Sequence, residues 1–123
     1  MATETPLIHD GSQTTAAADL SAAQYKAVKL TAARSVNLAS TGGEAIYGIL
    51  QNNPTSGQAA DVGIFGISKA LIGAAGCAAE DSLMTDTTGA FTTKTSTNAV
   101  VAVALEAGVS GDIISVKIIP TPG

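Results

Sequence analysis

The chain has 123 residues, with ten acidic side chains against six basic ones and a formal net charge of −4. This balance excludes the clustered Lys and Arg with which nucleic-acid-binding proteins displace counterions from phosphate. No run approaches the roughly 20 apolar residues of a membrane-spanning helix, and no basic and apolar leader opens the chain. We therefore expect one soluble domain that is made in the cytoplasm of its host cell.

The core is expected to contain few large apolar side chains. Apolar residues make up 46% of the chain, but much of this is alanine, and the aromatic residues are two Tyr and two Phe. Burying a large apolar side chain contributes about 1.5–3 kcal/mol, and burying alanine contributes far less. Oligomerisation or docking is the expected supplement to stability. The single Cys77 fits a reducing compartment.

Residues 1–24 differ from the rest of the chain because they are rich in Thr, Ala, Asp and Ser. Few large apolar side chains would hold this segment to a core. It is predicted to be an extended N-terminal arm, followed by a β-rich domain over residues 25–123. Asp19 is a plausible cap for one helical turn over residues 19–24, which is too short to be stable alone. We expect the arm to be mobile in the free protein and ordered in an assembly.

From Tyr25 onward, β-branched and apolar runs predict strands. Turn residues separate these runs at intervals typical of an all-β sandwich or barrel. The predicted fold is a compact antiparallel β-barrel or sandwich with an extended N-terminal arm. A competing Ala-rich helix over residues 67–80 is disfavoured by Gly73 and Gly76. The predicted strands are 25–30, 35–39, 45–51, 60–72, a short piece near Leu83, 90–93, 99–106 and 113–119.

Residues 99–119 give the strongest signal, two β-branched runs joined by a Gly- and Ser-rich turn that predicts a β-hairpin. Residues 45–51 and 62–67 are likewise two apolar runs joined by a turn, and they predict a second β-hairpin. Alternation along each strand of the 99–119 hairpin places every second side chain on one face. The residues predicted to face the core are Val101, Val103, Leu105, Ile114, Val116 and Ile118.

The two hairpin connections also resemble each other. Leu50-Gln51 is followed by Ser56-Gly57-Gln58, and Leu105-Glu106 by Ser110-Gly111-Asp112. Either an internal repeat or a shared turn requirement could produce this. We favour the shared turn requirement, because short hairpin loops draw on few residue types.

Residues that carry chemistry are sparse. His9, beside Asp10, has no Ser or Cys placed near it by the sequence, so a solvated surface histidine is the favoured interpretation. Glu80, Asp81 and Asp86 offer oxygen ligands without the spacing of an EF-hand, and carboxylates at turns commonly cap backbone amides. The sequence therefore predicts no catalytic residue, metal site or cofactor.

Two glycines lie inside a predicted strand, at Gly63 and Gly66, outside the strand-to-helix context of a phosphate-binding loop. A glycine in a strand usually marks a bulge or the close approach of another backbone. We predict a contact between subunits at Gly63, Gly66 and Ile67.

Taken in order, blocks of the sequence from Tyr25 to Pro120 resemble the small phage capsid decoration (cement) proteins. The order of the blocks is more specific than any one of them. Typical members have Gly-Asp where Glu80-Asp81 stands, and commonly Ile-Gly where Ala102-Val103 stands. The blocks are residues 25–30, 48–52 with Pro54 and Gly57-Gln58, 62–67, 80–90, and 103–106 followed by 110–112 and the last strand.

The resemblance implies a non-enzymatic structural protein of the virion, bound to the outside of an icosahedral phage head and cementing neighbouring capsomers. It implies the major capsid protein as partner and frequently a homotrimer at threefold or quasi-threefold positions. Nucleic acid and membrane are not expected partners. The predicted arm would contact the shell through Leu7 and Ile8, by adding a strand to a sheet edge.

Two alternatives stay open. A tail or baseplate component is also β-rich and self-assembling, and fold class does not fix function. A small enzyme or ligand-binding barrel would need convergent polar groups in a pocket, which the sequence does not indicate.

Overall fold

A computed structural model describes residues 7–11, 13–95 and 98–119. The described residues form β-strands joined by turns and loops, with no helix among them. The strands are β1 (Leu7–His9), β2 (Thr14–Ala16), β3 (Ala27–Ala32), β4 (Ser35–Leu38), β5 (Gly48–Leu50), β6 (Ala59–Ala60), β7 (Val62–Leu71), β8 (Ser82–Thr85), β9 (Phe91–Thr93), β10 (Ala102–Ala104) and β11 (Ile113–Ile118).

All the strands belong to one sheet, in the order β6-β2-β4-β3-β5-β7-β11-β10-β8-β9, with β1 added on β7. The sheet does not close into a barrel, so the all-β prediction is confirmed in its sandwich-like form. The predicted antiparallel pairing holds for every strand pair except one. That exception is the parallel pairing of β2 with β4.

The sheet separates two apolar clusters. On β3, Ala27 belongs to the larger cluster and the adjacent Val28 to the smaller one; on β5, Ile49 and Leu50 divide in the same way. Successive side chains of a strand point to opposite faces. The middle of the sheet is therefore buried on both faces. The smaller cluster consists of Ala16, Leu20, Ala23, Val28, Val36, Leu50, Ala60 and Val62.

Each of the eight predicted strands overlaps a strand of the structure, and both predicted hairpin pairs form, β5 with β7 and β10 with β11. Three short strands, β1, β2 and β6, were not predicted. The segment after Asp19 turns without forming a helix, and the Asp19 carboxylate accepts a hydrogen bond from the Ser21 N–H at 3.0 Å.

The face predicted for β10 is wrong. Ala102 lies opposite Ile118 and Ala104 opposite Val116, and all four are buried. Cross-strand partners share a face. Val103, opposite Lys117, is therefore turned outward and half-buried, and Leu105 is 47% exposed. The prediction is correct for Val101, Ile114, Val116 and Ile118, which are buried.

The described part of the predicted arm packs on the domain. β1 pairs with β7, and β2 pairs with β4 and β6. Ala16, Leu20 and Ala23 are buried in the smaller cluster, so the expectation that this segment lacks core contacts is wrong. The domain boundary at residue 24 stays a prediction, and residues 1–6 lie outside the described residues.

Four turns share one construction. The backbone N–H of the fourth residue donates to the carbonyl of the first, and the fourth side chain accepts from the N–H of the first. The third residue has a φ of +71° to +90°. This is the pattern of a type II turn, which needs positive φ at that position. The turns are Thr41–Glu44, Thr55–Gln58, Ala78–Asp81 and Val109–Asp112.

This shared turn accounts for the resemblance between the two hairpin connections. Gly57 and Gly111 hold the third position, and Gln58 and Asp112 hold the fourth. Because the same turn also occurs at two places outside that resemblance, turn chemistry explains it without an internal repeat.

Candidate interaction surface

The residues predicted to contact a shell and those predicted to contact another subunit lie together in this chain. β1 runs antiparallel along β7, with a register shift between Ile8 and His9. Two contacts that the sequence placed on separate surfaces therefore share one. The opposed pairs are Leu7 with Gly66, Ile8 with Phe65, and His9 with Gly63.

Gly63 is a place of close approach, but the approaching groups belong to its own chain. A Cβ atom on Gly63 would lie 2.9 Å from Leu7 Cδ1 and 2.9 Å from Gln51 Nε2. Leu7 is half-buried and packs against the larger apolar cluster. The missing side chain at Gly63 thus makes room for Leu7, which anchors β1 to β7.

Gly66 has a φ of +106°, a backbone conformation that side-chain-bearing residues rarely adopt. Its position inside β7 agrees with the prediction that strand glycines mark an irregularity of the ladder. Ile67, the third residue of the predicted subunit contact, is half-buried and lies opposite Lys117 of β11.

Ile8 and Phe65 form an exposed apolar pair across the β1–β7 ladder, which we name the Ile8–Phe65 patch. Ile8 is 54% exposed and Phe65 is 48% exposed. Phe65 is one of only two phenylalanines in the chain. Phe65 lies within the predicted contact region around Gly63 to Ile67 but was not itself named, although its position between two strand glycines was the available signal. The patch offers adjacent apolar surface to a partner.

Asp10 holds the end of β1 in place and is 9% exposed. One carboxylate oxygen accepts hydrogen bonds from Thr14 Oγ1 at 3.0 Å and the Tyr47 hydroxyl at 3.2 Å. The other accepts from the Val62 N–H at 3.3 Å. Burial raises the pKa of Tyr47, and the nearby Asp10 charge raises it further, so the phenol stays a donor. The Asp10 carboxylate thereby connects the end of β1 to β2, to the residue before β5 and to β7.

His9 does not pair with Asp10. Its Nδ1 lies 2.8 Å from Asp61 Oδ1, and the two side chains are 45% and 34% exposed. Exposed pairs of this kind contribute little to stability. The contact adds a second polar tie between β1 and the start of β7.

A second group of exposed apolar side chains lies at the β10–β11 loop. Leu105, Val109 and Ile113 are 47%, 68% and 46% exposed. Ile113 lies opposite Leu71, whereas Ile118, at the other end of β11, lies opposite Gly66. The β10–β11 loop and the Ile8–Phe65 patch are therefore at opposite ends of the β7–β11 ladder.

Two of the three acidic residues near residue 80, Asp81 and Asp86, cap turns, as predicted. Asp81 accepts hydrogen bonds from the Ala78 N–H and from Thr93 Oγ1, both at 2.8 Å, and these lower its pKa. Asp86 accepts from the Thr88 N–H at 2.8 Å and the Ala90 N–H at 3.1 Å. Among residues 7–11, 13–95 and 98–119, no group of three His, Cys, Asp or Glu side chains could hold a metal ion.

Cys77 is half-buried, and burial raises the pKa of its thiol. A hydrogen bond from the Gly108 backbone opposes this effect, while the charges of Asp81 and Asp112 add to it. A raised pKa keeps the thiol protonated and weakly nucleophilic. Cys77 thus matches the small, half-buried residue expected from the sequence. No helix in the part of the chain that the structure describes is long and apolar enough to cross a membrane.

No protein-family model matches the sequence, and no curated protein sequence matches it. Among solved structures, the fold is similar to the head fiber gp8.5 N base in bacteriophage phi29, with a TM-score of 0.71. The similarity covers 92% of this chain and 94% of that one, at 12% sequence identity. At that identity the likeness establishes a shared fold. The neighbour itself is a structural protein of a phage head.

Proposed function

We propose that this protein is a structural component of a phage virion, located on the outside of the head. The observation that carries the proposal is the fold similarity to a phage head fiber base over nearly the full length of both chains. The order of sequence blocks, which resembles the capsid decoration proteins, supports the same assignment independently.

In its finer form, the protein cements neighbouring capsomers through contacts with the major capsid protein, as a homotrimer and without enzymatic activity. The composition suits this role, because a core rich in alanine leaves stability to be supplemented by assembly. Several copies acting together convert weak single contacts into a durable clamp. The two exposed apolar groups, at opposite ends of the β7–β11 ladder, would allow contact with more than one neighbour.

Electron cryomicroscopy of virions with and without the gene for this protein tests the proposal. We expect density on the outer head surface, between capsomers, that is missing from the deletion particles. Density in the tail or baseplate, or no difference between the two particles, would contradict the assignment to the head.

The homotrimer is tested by sedimentation equilibrium of the purified protein at micromolar concentration. We expect a mass three times that of the chain. A monomer mass in solution, together with head-bound density that shows single copies, would contradict the trimer and leave the location on the head unaffected. Open rings or tubes would indicate a tail role, because a contact that does not close generates filaments.

A further inference from the structure

Two lysines lie on the outer face of the sheet at β7, β11 and β10. Lys69 of β7 is opposite Ser115, and Lys117 of β11 is opposite Val103 of β10. Cross-strand partners share a face. The alternate residues of β11 are buried in the larger apolar cluster, so these side chains lie on the other face of the sheet. We name the surface that the two lysines share with Val103, Leu105 and Ile113 the Lys69–Lys117 face.

The Lys69–Lys117 face combines exposed apolar surface with positive charge. Leu105, whose N–H donates to the Ser115 carbonyl, is 47% exposed, and Ile113 is 46% exposed. Lys117 is exposed and Lys69 is half-buried. No Asp or Glu occurs within β7, β10 or β11, and among the described residues neither lysine belongs to an ion pair. The face is therefore basic, although the whole chain has a formal net charge of −4.

Two carboxylates lie at the loop end of this face, and each accepts a hydrogen bond from the backbone. Glu106 accepts one from the Ser115 N–H at 3.0 Å, and Asp112 accepts one from the Val109 N–H at 3.0 Å. Lys117 is at the opposite end of the β7–β11 ladder. Lys117 therefore presents its charge to solvent or to a partner.

A tyrosine ring fixes the position of Lys69. The Lys69 Nζ atom lies 5.6 Å from the centroid of the Tyr25 ring, within the range of a cation–π contact. Tyr25 has a φ of +68°, which is uncommon for a residue with a side chain. Its N–H donates to the Leu50 carbonyl at 2.7 Å, and its carbonyl accepts from the Leu71 N–H at 2.9 Å. Strained residues that are held in this way cluster at binding sites, which indicates a binding role for the face.

We propose that the Lys69–Lys117 face is the surface by which this protein docks on the shell, and that the shell surface it meets presents carboxylates among apolar side chains. This inference rests on the proposed function and adds the chemistry of the partner. Carboxylates opposite the two lysines would complement the charges of the face, while apolar side chains would cover Leu105 and Ile113. Complementary charges of this kind also fix the orientation of docking.

A second copy of this chain matches the face less well. Identical faces that meet across a twofold axis would bring lysines against lysines, and opposed like charges weaken a contact. The Ile8–Phe65 patch is a different surface that a second copy could present. The carboxylate near that patch is Asp61, which is already paired with His9 at 2.8 Å. The charges therefore favour the shell protein as the occupant.

Co-sedimentation with shells of the same phage, isolated without this protein, measures docking of the purified full chain. The charge variants are Lys117→Gln and the double variant Lys69→Gln with Lys117→Gln. Their matched control is Arg34→Gln, which removes one positive charge from an exposed position between β3 and β4. Circular dichroism and thermal unfolding establish that each variant is folded before its binding is compared.

At about 0.1 M salt, we expect the double variant to bind shells at least about tenfold more weakly than the parent, and Arg34→Gln to bind like the parent. At about 1 M salt the Debye length falls from about 10 Å to about 3 Å, so the affinity of the parent should approach that of the double variant. If the double variant does not fold, the exposed Lys117→Gln carries the test, with a loss of a few fold.

A second pair of variants tests the apolar part of the face. Leu105→Ser changes a side chain that is 47% exposed, and its control Leu30→Ser changes one that is 51% exposed on β3. We expect Leu105→Ser to weaken binding by a few fold and Leu30→Ser to leave it unchanged. Equal binding by the parent and Leu105→Ser would overturn the apolar contact.

Equal binding by the parent and the folded charge variants, or parent binding that does not change with salt, would overturn the docking surface while the proposed function stands. A charge variant that keeps its shell affinity but changes its oligomeric mass would identify the face as a contact between copies and would overturn the proposal as well. Failure of the parent itself to bind shells is a separate result, and it would reject the proposed function.

Discussion

Glu80 occupies a backbone position made for glycine. It is the third residue of the Ala78–Asp81 turn with a φ of +71°, where Gly43, Gly57 and Gly111 stand in the other three turns. The left-handed conformation costs a residue with a side chain about 1–2 kcal/mol. The decoration proteins that the sequence resembles typically carry glycine there, so Glu80 keeps a strain that the turn does not require.

Replacing Glu80 with glycine is expected to stabilise the protein. The relief of strain exceeds the extra freedom of glycine in the unfolded chain, which costs about 0.5–1 kcal/mol, and leaves a net gain of about 0.5–1 kcal/mol. Urea unfolding measures the change. As a control, Gly111→Ala should destabilise by about 0.5–1 kcal/mol, the strain less the reduced freedom of the unfolded chain. No steric clash adds to this, because no atom lies within 4 Å of the added Cβ. A loss of stability in Glu80→Gly would contradict the argument.

Turn carboxylates should make stability fall in acid. Hydrogen bonds from Ala78 and Thr93 lower the pKa of Asp81 below its usual 3.8. Burial raises the pKa of Glu44, but hydrogen bonds from Thr41, Ser40 and Lys29 outweigh it, so the result lies below the usual 4.5. A carboxyl whose pKa is lower in the folded chain binds fewer protons when folded. Its contribution is complete above the usual pKa and is lost as the pH falls through the folded value.

We therefore expect the thermal midpoint to be flat near neutral pH and to fall below about pH 4.5. Asp81→Asn should flatten part of that fall, since an amide oxygen can still accept the turn hydrogen bond but does not titrate. Calorimetry from about pH 6 to about pH 3 compares the two proteins. An identical fall in the variant would remove Asp81 from the explanation.

At the scale of elements, the register of β10 on β11 determines how much stability is lost when a side chain of this hairpin is truncated to alanine. Ile118→Ala is expected to lose about 2–5 kcal/mol, because a fully buried side chain leaves a cavity in the larger cluster. Leu105→Ala, at an exposed position, should change stability by less than about 0.5 kcal/mol. Denaturant unfolding of the two variants checks this, and comparable losses would mean that the 101–105 segment faces the core with its larger side chains.

The sequence predicted the longer strands because runs such as 113–118 combine β-branched residues with clear alternation. It did not predict β1, β2 and β6, because β1 and β2 lie in a polar segment rich in Thr and Ala and β6 consists of two alanines. It placed the wrong face of β10 inward because Val103 is larger than Ala102 and Ala104, whereas pairing with Ile118 and Val116 decides the face.

The candidate surface was predicted in two separate pieces. Leu7 and Ile8 stood out as the apolar residues of a polar segment, and Gly63, Gly66 and Ile67 as an irregular strand. β1 and β7 are far apart in the sequence, so their pairing leaves no local signal and is visible only in the sheet topology. Two of the hydrogen bonds of Asp10 also left no local signal, because their donors, Tyr47 and Val62, lie 37 and 52 residues away in the sequence.

For the whole molecule, the position of β2 and Leu20 sets how much of the N-terminal segment can be removed. A chain lacking residues 1–20 loses β1, β2, the Asp10 hydrogen bonds and Leu20, and we expect it to have no cooperative transition. These losses together are of the same order as the 5–15 kcal/mol that stabilises a typical domain. A melting curve of the truncated chain that matches the curve of the full chain would contradict the packing of this segment.

The shared position of Leu7 and Ile118 beside Gly66 brings the first and the last strand of the described chain close together. Strands lie about 4.8 Å apart, so residues paired with one glycine are within about 10 Å of each other. A short added linker between Ile118 and Leu7 would join these two points, with the chain reopened at the exposed turn of Ser110 and Gly111. Such a circular permutant would retain all the strand pairs of the sheet while its new ends emerged from the β10–β11 loop.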